Sequence, residues 1–179
     1  MPPDYPWYQL VPPNEDLLQG DFVDDCALVN PSVEIDTDEM EGSLVEAEVL
    51  IYDVIILSQS CDLVEKKVDL VLVCPVWSFD EAEKSSKLLR QNKGKEHLRQ
   101  GRFLGYHLLN RCDIGGFEKE YLVVDFRSVY SIPFESIVSL TRSRGERLRL
   151  LPPYREHLSQ AFARFFMRVG LPVDIPPFN

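Results

Sequence analysis

Four consecutive apolar residues, Val54, Ile55, Ile56 and Leu57, constrain this chain more than any other feature. Successive side chains of a strand point to opposite faces, so a strand that is apolar at every position must be covered on both sides. The stretch from Val68 to Val76 reads the same way. Two such strands require a sheet with two buried faces. Both runs fall far short of the roughly 20 apolar residues that a membrane helix needs. A chain of 179 residues, 45% of them hydrophobic, can build such a core as one domain without covalent staples.

Other strands follow from local pattern. Asp21 to Val29 predicts a first strand ended by Asn30-Pro31, and Ser32 to Ser43 reads as an acidic loop. Val45, Ala47, Val49 and Ile51 alternate with Glu46, Glu48 and Leu50, which predicts a strand with one wet face. Arg102 to Leu109, Tyr121 to Phe126 and Val129 to Pro133 predict short strands, with Gly115-Gly116 turning a hairpin between the first two. Leu148 to Leu151 reads as an edge strand. Asp80 and Glu83 have capping-box spacing before an exposed helix that Gly94 interrupts.

The last helix has the clearest signature. Leu158, Ala161, Phe162, Phe165, Phe166 and Val169 fall on one face, Pro152-Pro153 precede it, and Gly170 and Pro172 end it. Burying three phenylalanines there would contribute roughly 5 to 9 kcal/mol before entropy is subtracted. At the other end, residues 1–19 carry five prolines and read as an extended arm, followed by a single domain over 20–179.

Charge is divided along the chain. The net charge is −10, yet no Lys or Arg precedes Lys66, and residues 1–65 hold 16 of the 29 acidic residues. Such polarity predicts acidic and basic surfaces that meet within the fold or across a dimer, so a protein partner or a second copy is the expected partner. The acidic balance disfavours non-specific nucleic-acid binding, although a basic face for phosphates stays open. The first residues lack the basic and apolar regions of a secretory leader, and no transmembrane run occurs, so the expected location is cytoplasmic with no membrane contact. Cys26, Cys61, Cys74 and Cys112 are then expected as free thiols. No Cys-x-x-Cys or His-x-x-x-His pair occurs, so neither a metal nor a cofactor is expected.

Three groups of residues could carry chemistry. Ser58, Gln59, Ser60, Cys61 and Asp62 emerge from the end of the buried strand, where sites are often built. A catalytic Cys61 would need a base such as His97 or His107, because the thiolate is the nucleophile. Alternatively, Asp62 and Glu65 cap one helical turn, the serines satisfy backbone groups and Cys61 packs inward. His107 lies in a predicted strand; His97 and His157 stand apart from it. Finally, Arg142, Arg144, Arg147 and Arg149 crowd one segment, where planar guanidinium forks could bind phosphate or form a solvated rim.

Gln19-Gly20-Asp21-Phe22, Val54 to Ser58, Leu72 to Val76 and Val124 to Ile132 resemble strands of the PemK/MazF-like group. That resemblance implies an SH3-like barrel and, for some members, endoribonuclease toxins working in toxin–antitoxin systems. Tyr52-Asp53 stands where the toxins carry an Arg-Pro pair, so the catalytic arginine of the group has no counterpart here. The chain also resembles bacterial proteins that share a Gly-Asp opening, a Ser-Gln-Ser-Cys-Asp-Leu segment and a Pro-Pro-Tyr-Arg-Glu-His-Leu helix start, a likeness that implies no activity. The expected fold is therefore mainly β with helices (α+β): a small SH3-like barrel with an exposed helical insertion and a C-terminal amphipathic helix on the sheet. The expected function is a protein-interaction or regulatory module. The alternatives are an endoribonuclease or phosphate-ester-processing enzyme using the Arg142–Arg149 cluster, and a Cys61-dependent enzyme in which Asp62 or His107 assists.

Overall fold

The computed structural model describes residues 5–31 and 47–167. In chain order the elements are β1 (Tyr8–Val11), β2 (Phe22–Pro31), β3 (Ala47–Ile56), α1 (Ser60–Val64), β4 (Leu70–Ser78), α2 (Phe79–Ser85), α3 (Asn92–Arg99), β5 (Tyr106–Leu109), β6 (Leu122–Asp125), β7 (Tyr130–Pro133), α4 (Phe134–Arg144), β8 (Arg147–Leu150) and α5 (Tyr154–Phe166). This is a mixed α+β fold of antiparallel sheets and helices. The larger sheet runs β2-β3-β4-β6-β5 with β7 also on β4, while β1 pairs with β8 in a sheet of two. Among the described residues these strands close no barrel. No helix among them is long and apolar enough to cross a membrane.

β4 is the hub. Val73, Cys74 and Pro75 register with β3, Leu70 to Val73 with β7, and Val76 to Ser78 with β6. Val54 to Leu57 are at most 2% exposed, as an unbroken apolar run demands. Their side chains divide between two cores. Val54 and Ile56 pack with Leu63, Val71, Val73 and Ile137, whereas Ile55 and Leu57 pack with Phe126, Leu150 and Leu158. β5 and β6 form the expected hairpin, extended by a bridge between Cys112 and Lys119 and turned at Gly116, whose φ is +84°.

Several local expectations are corrected. Ala47, Val49 and Ile51 are exposed, with the two larger side chains near 60%, because they share the outer face of the hairpin with Val29, while Leu50 and Tyr52 lie opposite the buried Leu28 and Cys26 on the other face. A register shift interrupts the β2–β3 ladder between Val23 and Cys26, beyond which Cys26 and Leu28 are still buried in the core. Capping of the first insertion helix shifts to Ser78 and Glu81, which form a reciprocal capping box, and Gly94 lies inside α3 instead of interrupting a helix. A Cβ at Gly94 would sit 1.8 Å from the Leu88 carbonyl oxygen, so only glycine permits that approach. The insertion is mostly exposed as expected, but Ala82, Leu89 and Leu98 anchor it on Val123 in a third cluster.

At the chain ends, the proline-rich arm contributes β1, whose Tyr8 and Val11 are buried, so from Tyr8 onward it belongs to the fold. β8 is wholly buried against β1 instead of forming an open edge. α5 buries Leu158 and Ala161 and half-buries Phe162 and Phe165, but Phe166 is 61% exposed because the other four already fill the stripe. Pro2, Pro3, the Ser32–Ser43 loop, Val45, Val169, Gly170 and Pro172 lie outside the described residues.

Candidate functional site

β3 ends beneath α5. Leu57 N donates to Leu72 O, and Ser58 Oγ accepts from Leu72 N at 2.8 Å, so the chain stays anchored to β4 as its ladder runs out. Gln59 then precedes α1 as its N-cap residue. Ser60 Oγ accepts from Gln19 N at 3.2 Å, and the buried Gln19 side chain donates through Nε2 to Leu57 O at 2.7 Å. The two serines thus satisfy backbone groups, as the structural reading of this segment expects.

The turn that presents Gln19 is held from behind. Gly20 adopts φ +86°, which side-chain-bearing residues rarely take, and a Cβ there would press on Leu150 Cβ at 3.0 Å and Arg155 Cγ at 3.4 Å. Next to it Asp21 has no solvent exposure and takes both Arg147 and Arg149. Arg147 Nε donates to Oδ2 at 2.8 Å, while Arg149 donates to both oxygens. Further donors of the two guanidiniums reach the carbonyls of Pro12, Glu15 and Asp16. A buried carboxylate between two forks persists because every charged group there is hydrogen-bonded.

This splits the arginine group that the sequence places on one basic face. Arg147 and Arg149 are 6% and 4% exposed and are committed to Asp21. Arg142 and Arg144 are exposed on the last turn of α4, where Arg144 Nη1 meets Asp25 Oδ2 at 3.4 Å. Lys119 pairs with Asp24 and Asp53, so acidic N-terminal and basic C-terminal parts do meet within one chain.

Opposite Gln19 and α1 stands the start of α5. Gln59 Nε2 donates to Ser159 Oγ at 3.2 Å, across 100 residues of sequence. Arg155 and Glu156 pair side by side, with Nη2 and Nε of the arginine on Oε1 at 2.9 and 3.3 Å. Glu156 Oε2 is buried without a hydrogen-bond partner among the described residues. Between these walls lies a cleft of about 330 Å³, with Gln19, Gln59, Ser60 and Cys61 on one side and Arg155, Glu156, Ser159 and Gln160 on the other. The Gly-Asp opening, the Ser-Gln-Ser-Cys segment and the Tyr-Arg-Glu-His helix start therefore converge on one place.

Cys61 does not pack inward. It is exposed, because Leu63 takes the buried position of the short α1, and its thiol contacts Asp62 Oδ1 at 3.7 Å. Asp62 does not cap α1, which begins at Ser60 without a side-chain cap. No histidine adjoins the thiol: His97 packs on Phe103, His107 on Phe126 and His157 on Tyr154. Burial, with smaller contributions from His157 and Arg164, lowers the His107 imidazole to about 4, so it is neutral near pH 7. Burial raises two of the buried thiols, Cys26 to about 11 and, with a smaller contribution from Asp125, Cys74 to about 12.

Gln19, Glu156, Ser159 and Gln160 are the cleft residues that residue-by-residue reading passes over. Their signal lies in position, since Gln19 directly precedes Gly20-Asp21 and the others lie within two turns of Tyr154. Among the described residues no group of three or more His, Cys, Asp or Glu side chains could hold a metal ion. No model of a known protein family matches the chain, and no curated protein matches it.

Proposed function

We propose that this chain is a non-catalytic binding module of PemK-like kind that works through protein contacts, with the cleft between α1 and α5 as its binding surface. One observation carries the reading: carboxamides, hydroxyls and a self-paired Arg155–Glu156 converge on the cleft, while its thiol faces Asp62 and no imidazole. Carboxamides and hydroxyls bind and orient. They do not supply the base that a thiol nucleophile needs. The ribonuclease alternative has less to work with, because two of the four arginines of its cluster, Arg147 and Arg149, are buried on Asp21.

The test is reaction of the native protein with iodoacetamide near about pH 6, compared with the unfolded chain. A binding surface leaves Cys61 no faster than the unfolded thiol. Trapping more than about tenfold faster in the native protein shows an activated nucleophile and overturns the reading.

A further inference from the structure

We infer that the ligand of this cleft is an extended, uncharged stretch of polypeptide held through its main chain, an inference that rests on the binding reading above. Charge argues first. Arg155 places two of its donors on Glu156, so the wall carries a cancelled pair and no surplus cation for a phosphate. The lining includes no aromatic ring on which a nucleobase could stack, and stacking supplies much of the affinity for unpaired bases.

What the cleft does offer matches a peptide group. Gln59 and Gln160 each carry one carbonyl and one NH₂, and Ser159 keeps its hydroxyl proton after accepting from Gln59. A main-chain amide presents the same donor and acceptor side by side. The Gln59–Ser159 bridge orients these groups before any ligand arrives, which reduces the ordering cost of binding. Recognition through main-chain groups favours a segment whose own charges do not confront the Arg155–Glu156 pair.

An array of capped, uncharged decapeptides tests this, with adenosine monophosphate and inorganic phosphate as competing probes in calorimetry. The expected result is a peptide that binds and loses about tenfold in affinity on methylation of two central amide nitrogens, on Gln59→Ala and on Ser159→Ala, as for one or two lost hydrogen bonds. An array no brighter with the native protein than with Gln59→Ala overturns the inference, as does a peptide indifferent to N-methylation. Adenosine monophosphate or phosphate displaced by Gln59→Ala would overturn the peptide class and leave the binding module standing. Rapid trapping of Cys61 by iodoacetamide would bring down the binding reading itself.

Discussion

Arg149 grips Asp21 at both carboxylate oxygens in the interior, joining the turn before β2 to a strand 128 residues later. With Arg147 on the same carboxylate, this contact fixes Gly20-Asp21 and, through the adjoining Gln19, one wall of the cleft. Removing one partner of such a group leaves buried charge without compensation. Asp21→Asn should therefore destabilise by about 3 to 5 kcal/mol in urea denaturation. A loss under about 1 kcal/mol would show that the arginines find other partners.

Phe126 is fully buried, and Phe162 and Phe165 lie on it at 5.4 and 6.3 Å between ring centroids. Phe126→Ala should cost about 3 to 5 kcal/mol through the cavity it leaves. Phe166→Ala should cost less than about 0.5 kcal/mol, because that ring is mostly in solvent. Equal losses from the two would contradict the placement of α5 on the sheet.

These elements show which parts of the fold were legible. Val54 to Leu57 and Gly115-Gly116 could be read because local pattern alone decides them: an unbroken apolar run needs two covers, and paired glycines permit a turn. Spacing alone makes the helix stripe too wide, since Phe166 satisfies the same period as its buried neighbours. Phe134, Ile137, Val138 and Thr141 have the helical spacing of α4, but in sequence the run Arg142, Arg144, Arg147 and Arg149 hides it by looking like one solvated cluster. Their division between an exposed helix end and a buried strand depends on Asp21, and no local pattern reports a partner so distant. The direction of Cys61 is hidden for a similar reason. Which residue of a five-residue helix faces the core is settled by Leu63, not by the polarity of the segment.

His107 gives the fold a pH dependence with a definite sign. Its imidazole titrates at about 4 when folded, against an ordinary value of about 6.5. As the pH falls from about 6.5 towards 4 the unfolded chain takes up a proton that folded His107 refuses, so stability is lost across that window and is full above it. The loss by pH 5 should be roughly 2 kcal/mol, seen as a lower urea midpoint than at pH 7. His107→Phe should flatten the difference, and an unchanged slope would place the effect elsewhere.

Thiol counting checks the burial of the cysteines. Cys61 is exposed, whereas Cys26, Cys74 and Cys112 are buried. An aromatic disulfide reagent should find one thiol in the native protein and four after denaturation, and Cys61→Ser should abolish the native reaction. Two or more native thiols would mean that one of the cores opens under native conditions.

That single accessible thiol permits the most direct measurement of the central claim, that the chain binds at the cleft between α1 and α5. N-ethylmaleimide on Cys61 puts a bulky group at the cleft wall beside Gln59 and Ser60 without touching the cores. Calorimetry of the tightest array peptide against modified and unmodified protein should show a loss of at least about tenfold in affinity. An unchanged Kd would place binding elsewhere on the molecule and contradict the account.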